Sequence, residues 1–162
     1  MRIGFGYDAH RLADGLPLVL GGVLLPWHRG LEAHSDGDVL LHALMDALLG
    51  AACLGDIGVH FPDTDQVYHG CSSITLLSVV KEELHRAGYA VHNIDCTLVA
   101  QLPKIQPFIH AMRDRISSTL GIGEDQVSVK ATTTEGMGFT GREEGIACYA
   151  VCTLCARDEA CS

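Results

Sequence analysis

Asp38-Val-Leu-Leu-His42-Ala-Leu-Met-Asp46-Ala-Leu-Leu-Gly-Ala-Ala-Cys53 is apolar on nearly every side. A segment of this length with no polar face predicts a buried helix from Asp38 to Cys53. Ser35 and Asp36 stand ahead of it as N-cap residues, and Gly55 lies just past its end. His42 falls in the middle of the run, where an imidazole needs a partner. A backbone carbonyl in the core would serve, and so would a metal ion. Asp46, one turn further on, has the spacing to orient that imidazole, or to act as a solvated or helix-stabilising carboxylate.

Working outward, Arg2 to Asp8 reads as a short strand, and Leu18-Val-Leu-Gly-Gly-Val-Leu-Leu25 as a hairpin split by its two glycines. Asp56 to Gly70 holds Gly58, Pro62, Asp63, Thr64 and Asp65, a turn-rich segment of the kind that closes over ligands. Ser72 to Ala87 has helical spacing through Ile74, Leu77, Val80 and Leu84, with Gly88 as its stop. Tyr89 to Val99 reads as a strand, and Pro107 to Leu120 as a helix stopped by Gly121. The run from Val127 to Thr132 and the apolar Ile146 to Leu154 complete the strands. This order predicts an α+β fold with a mixed β-sheet covered by helices on one face. Residues 1–157 form one domain in this reading, with 158–162 as a disordered C-terminal tail. The 162 residues are enough to bury roughly two-thirds of the unfolded surface without disulfides or a structural metal.

The net charge of −9 argues against a nucleic-acid surface, which needs clustered Lys and Arg. An anionic substrate would therefore be captured by local cations. The seven cysteines are odd in number and scattered through apolar runs, as small core residues in a reducing compartment. Cys152 and Cys155 make a C-x-x-C without a second ligand pair, and the period of two from Ala147 to Ala156 makes that segment a strand instead. The N-terminus has no signal-peptide core, and no uncharged apolar run reaches the roughly 18 residues of a membrane span. A cytoplasmic protein is expected, or an organellar one if a transit segment has been removed.

Asp8 and His10, two apart on an extended segment, project to the same side and could chelate one ion, with His42 as a third ligand. Two nitrogens and one oxygen suit Zn²⁺, and three protein ligands leave the open position of a catalytic site. His34-Ser35-Asp36-Gly37-Asp38 precedes the long helix, either as a capping box or as a phosphate-binding helix start. Lys130-Ala-Thr132-Thr133-Thr134-Glu135-Gly136-Met-Gly138-Phe139-Thr140-Gly141-Arg142 sets three hydroxyls and a carboxylate among glycines. It has no Walker A order, and it is either a Gly-rich turn or a loop that lets the backbone approach a ligand closely. Glu135 could hold Mg²⁺ through oxygen.

Taken together, Gly-Tyr-Asp8-Ala-His10-Arg, Ala-His34-Ser-Asp-Gly-Asp-Val, Gly55-Asp-Ile-Gly58, Phe61-Pro-Asp-Thr-Asp65 and Lys130 to Arg142 resemble the 2-C-methyl-D-erythritol 2,4-cyclodiphosphate synthase family of the non-mevalonate isoprenoid pathway, from about Arg2 to Ala156. The resemblance implies a phosphorus–oxygen lyase that cyclises a cytidine diphosphate substrate and releases CMP. It implies Zn²⁺ on Asp8, His10 and His42, and Mg²⁺ or Mn²⁺ on the substrate diphosphate with help from Glu135. His34 and Thr133 fall at positions that stabilise the transition state, and Ser35 at a phosphate contact. Asp56, Ile57, Gly58, Phe61, Pro62, Asp63, Thr64 and Asp65 correspond to the methylerythritol end. Ala100, Gln101, Leu102, Pro103, Lys104, Ile105 and Gln106 correspond to the cytidine pocket. Ala131, Thr132, Thr134, Phe139 and Arg142 complete the implied substrate contacts. The family is a homotrimer with sites between subunits, which would account for a chain that is 48% hydrophobic. Tyr149 stands where relatives often carry Glu, near the Arg142 that lines their three-fold axis.

Overall fold

The computed structural model describes residues 1–62 and 70–157. Asp63, Thr64, Asp65 and the 158–162 tail therefore lie outside the described residues. The sheet is mixed, as the element order predicts. β1 (Arg2–Asp14) pairs antiparallel with β4 (Arg29–Leu31) on one side and β7 (Gly145–Ala156) on the other. β5 (Tyr89–Val99) is antiparallel to β7 and parallel to β6 (Val127–Thr132), giving the order β4-β1-β7-β5-β6. The parallel step needs a crossover, which α4 (Ile109–Leu120) supplies. β2 (Leu18–Leu20) and β3 (Val23–Leu25) form a separate hairpin, with Gly21 and Gly22 at φ of 59° and 73°. Two consecutive positive φ values are what a tight hairpin turn demands.

α1 (Val39–Ala52) lies across β1 and β7 and is buried nearly all round. Its cap differs from the sequence expectation. Asp38, not Ser35 or Asp36, is the N-cap, and its carboxylate accepts the Leu41 N–H at 3.1 Å. The same carboxylate also accepts Gly21 N–H at 2.9 Å and Gly22 N–H at 2.6 Å, fastening the hairpin to the start of the helix. Full burial pushes the Asp38 carboxyl up to about 6, against the opposing pull of these three donors. α2 (Ile57–His60) occupies part of the expected loop, α3 (Ser73–Arg86) is capped by Ala87 with Gly88 just beyond as the expected stop, and α5 (Gly138–Gly141) turns within the Gly-rich segment. β1 runs well past Asp8, because Ala9 to Asp14 continue the pairing with β7 and β4.

Side chains alternate along β1. Gly4 and Gly6 face α1, whereas Ile3, Phe5 and Tyr7 point the other way and are exposed. A Cβ at Gly4 would strike the Ala47 carbonyl, and one at Gly6 the Ala43 carbonyl. The helix backbone thus rests directly on the strand, and Asp8 and His10 continue the same face toward His42. On the opposite face, Phe5 and Tyr7 join Tyr149 and Val151 of β7 in an apolar patch, with the Tyr7 and Tyr149 rings 4.9 Å apart. Five cysteines, at 53, 71, 96, 148 and 152, are free thiols. Cys155 is disulfide-bonded, a departure from the all-reduced expectation.

Gly6→Ala should lower the unfolding free energy by about 1–3 kcal/mol, because its methyl meets backbone that has no rotamer to change. Urea titration of the metal-free protein measures it, and a loss below about 0.5 kcal/mol would contradict direct helix-on-strand packing.

Candidate metal centre and active site

Asp8 and His10 meet His42 where α1 crosses β1. Asp8 Oδ2 lies 2.8 Å from His10 Nε2 and 3.1 Å from His42 Nδ1, and the two ring nitrogens are 3.0 Å apart. If both ring nitrogens donate to the one carboxylate oxygen, two N–H groups confront each other at 3.0 Å, so the three contacts cannot all be hydrogen bonds at once. A tetrahedral ion with bonds of about 2.0–2.1 Å to N and O has ligand–ligand edges of about 3.3 Å. The trio is a slightly contracted face of that tetrahedron, so the donor set fits Zn²⁺. Among the described residues it is the group of His, Cys, Asp and Glu side chains placed to hold a metal ion.

Burial pushes the Asp8 carboxyl up, but its hydrogen bonds to His10 and His42 outweigh this and hold it well below the usual carboxylate range. Burial pushes His42 down, yet the hydrogen bond to Asp8 and the charges of Asp8, Asp38 and Asp36 raise it above the ordinary histidine value. The far nitrogen of His42, Nε2, sits 3.0 Å from Ser73 Oγ and 3.1 Å from Ser35 Oγ. Ser73 was not singled out in sequence, since a serine at a helix start reads as ordinary capping. Asp46 makes no hydrogen bond to His42, whose ring nitrogens face Asp8, His10, Ser35 and Ser73. Its carboxylate accepts the Ile57 N–H at 2.8 Å, so it anchors α2 beside the trio.

Of the other expected residues, His34 is exposed, and its carbonyl accepts Gly70 N–H at 2.9 Å. Asp56 caps α2 through Val59 N–H, with Gly58 exposed beside it. Phe61 is buried and Pro62 is half-buried. Ala100 N–H donates to the Thr132 carbonyl, and Gln101 Oε1 accepts Gly136 N–H, which ties the 100–106 segment to the Thr-rich loop. Leu102 and Pro103 share a cis peptide, Lys104 and Gln106 are exposed, and Ile105 packs into the core. Thr133 donates to Glu135 at 2.9 Å, Thr134 to the Met137 carbonyl at 2.5 Å, and Ala131 is exposed at the end of β6.

A cleft of about 600 Å³ runs between β1 and α5, lined by His10, Arg11, Arg29, Phe139, Arg142 and Glu144. Arg142 is exposed and donates to Glu144 at 2.8 Å. Ala9, Ala147, Val99 and Thr132 lie in register across four strands, so the metal trio and the Thr-rich loop share one end of the sheet. Three interstrand steps put them about 14 Å apart within one chain.

The YgbB family profile matches residues 1–155. A protein of Agathobacter rectalis named 2-C-methyl-D-erythritol 2,4-cyclodiphosphate synthase is 56% identical over 99% of this chain and 90% of its own length. One of Pelotomaculum thermopropionicum with the same name is 62% identical over 93% of each. A solved structure described as this synthase in its CDP-bound form superposes with a TM-score of 0.88 at 38% identity, covering 95% of this chain and all of the other.

A proton on His42 competes with a metal at Nδ1. The raised His42 group contributes stability in the metal-free protein that is complete below its unfolded pKa and is lost as pH rises through its folded one. The melting-temperature gain on adding Zn²⁺ should therefore grow between about pH 6 and pH 8. Scanning calorimetry at matched ionic strength measures it, and a gain that is flat or falls with pH would contradict the trio as ligands.

Proposed function

The chain belongs to the YgbB family, and from that premise we propose that it converts 4-diphosphocytidyl-2-C-methyl-D-erythritol 2-phosphate into 2-C-methyl-D-erythritol 2,4-cyclodiphosphate with release of CMP, a step of the non-mevalonate isoprenoid pathway. The observation that carries this reading is the Asp8, His10 and His42 triangle, brought together where Gly4 and Gly6 let α1 rest on β1. The 2-phosphate oxygen forms a bond to the β-phosphorus while the bond from that phosphorus to the bridging oxygen breaks, and that oxygen leaves with CMP. No water enters. Little covalent chemistry falls to the protein, so positioning and charge neutralisation supply the rate.

Asp8, His10 and His42 would hold Zn²⁺, which when bound supplies a Lewis acid for a phosphate oxygen. Glu135 would share Mg²⁺ or Mn²⁺ with the substrate diphosphate. His34 and Thr133 donate hydrogen bonds as charge develops, and Ser35 contacts phosphate. Asp56 to Gly58, with Phe61 to Asp65, hold the methylerythritol end, and Ala100 to Gln106 hold cytidine through backbone groups. Ala131, Thr132, Thr134, Phe139 and Arg142 complete the substrate contacts.

The reading includes a homotrimer, in which the trio of one subunit faces the Thr-rich loop of the next. The separation of about 14 Å within one chain supports it, being too long for both to serve one reacting phosphorus directly. So does the bare face carrying Ile3, 73% exposed, and Phe5, 63% exposed, since an apolar sheet face of this kind marks an association surface. A cytoplasmic location goes with this reading; the five free thiols support it and the disulfide at Cys155 weighs against it. Residues 1–157 are read as the whole catalytic domain. No helix among the described residues is long and apolar enough to cross a membrane.

Phosphorus-31 NMR of the zinc- and magnesium-loaded protein with the diphosphocytidyl 2-phosphate should show CMP and a cyclic diphosphate, and His42→Ala should slow this on the order of a hundredfold or more. An acyclic phosphate carrying solvent oxygen-18 would instead mark a hydrolase. Phe5→Asp should shift the mass in light scattering from trimer to monomer and abolish turnover. A fully active monomer would refute the intersubunit site.

A further inference from the structure

We propose that Ser73 and Asp36 are positioning residues for the metal centre: Asp36 commits the Ser73 hydroxyl proton to itself, so the Ser73 oxygen accepts the Nε2 proton of His42 and leaves Nδ1 as the ligand atom. The inference rests on the trio being the metal site and adds to it the device that fixes which ring nitrogen faces the ion.

The polarity of the relay follows from what each atom can donate. Ser73 is fully buried at the first turn of α3, and its hydroxyl lies 2.5 Å from Asp36 Oδ1. An ionised carboxylate only accepts, so the single hydroxyl proton of Ser73 points there. Asp36 Oδ2 accepts the Ser73 N–H at 2.8 Å, which grips the same residue a second time. What remains on Ser73 Oγ is lone pairs, and these face His42 Nε2 at 3.0 Å. On the other side of the ring, Nδ1 faces Asp8 and His10.

Ser35 also lies near Nε2, at 3.1 Å, but its hydroxyl has no carboxylate partner among the described contacts and takes only a long 3.4 Å bond from Gly37 N–H. It is free to rotate toward a ligand, whereas Ser73 is not. Ser72, the N-cap residue of α3, makes no side-chain cap bond, so Asp36 caps this helix from a loop 37 positions earlier in the chain. One carboxylate therefore docks α3 and sets the ring. The two roles separate experimentally, because Ser73→Ala removes the hydroxyl but keeps the N–H bond to Asp36.

The test is a zinc titration against a competing chelator for the wild type, Ser73→Ala, Asp36→Asn, the double variant and Ser35→Ala. Far-UV circular dichroism of each confirms folding. Proton–nitrogen spectra of the zinc-loaded imidazoles supply a readout independent of turnover. Ser73→Ala and Asp36→Asn should each bind zinc about 10–100-fold more weakly. The double variant should be no weaker than the weaker single, within about threefold, since both act through one bond. Ser35→Ala should stay within about threefold of wild type. The slowly exchanging Nε2–H signal of His42 should be seen in wild type and lost in Ser73→Ala. Asp36→Asn keeps the buried hydroxyl but turns an amide donor toward it, and it carries the same test if Ser73→Ala does not fold. Wild-type zinc affinity in Ser73→Ala, or a loss confined to Ser35→Ala, would overturn the relay while leaving the trio intact. A wild-type protein that takes up no zinc would overturn both.

Discussion

The contact of α1 with β1 through Gly4 and Gly6 is the constraint from which the rest of the structure follows. A helix normally rides on side chains above a sheet, but here two alternate positions carry none, and the Ala43 and Ala47 carbonyls come down onto the strand. That close approach explains why α1 must be apolar all round, since β1 and β7 cover one side and α3 and the hairpin cover others. It also fixes where His42 arrives. The face vacated at positions 4 and 6 carries Asp8 and His10 next, so the register that packs the helix also assembles the ligands.

Charge inside this packing is handled by pairing. Asp38 is fully buried at the start of α1 and is held by three backbone donors, two of them from the hairpin turn. Asp36 grips the first residue of α3, and Asp8 bridges two imidazoles. The short segment from Ser35 to Asp38 therefore joins the hairpin, two helices and the trio, and each carboxylate in it has a structural reason for its place. Asp8 and His42 shift in opposite directions through one shared interaction, as a paired carboxylate and imidazole do.

Much of this was legible in the amino-acid order, because the signals were local. The apolar run of α1, the Gly-Gly turn, the glycine stops at 88 and 121 and the i, i+2 spacing of Asp8 and His10 each depend on near neighbours. What was not legible depended on partners distant in sequence. β1 extends to Asp14 because β4 and β7 supply partners for Ala9 to Asp14, which the polar residues there do not announce. Asp38 displaced Ser35 and Asp36 as the cap because the Gly21 and Gly22 donors reward a carboxylate at that point. Asp46 shares the helix face of His42 one turn on, but its carboxylate is taken by the Ile57 N–H, a partner that tertiary packing supplies. Ser73 is joined to His42 across 31 positions and could not be told from any other serine at a helix start.

The central claim is that helix-on-strand packing builds a metal centre from Asp8, His10 and His42, and X-ray absorption at the zinc edge of the loaded protein tests it most directly. The account predicts a shell of nitrogen and oxygen scatterers at about 2.0–2.1 Å, with imidazole outer-shell scattering from two rings. A sulfur shell at about 2.3 Å would place the ion on the cysteines instead and contradict it.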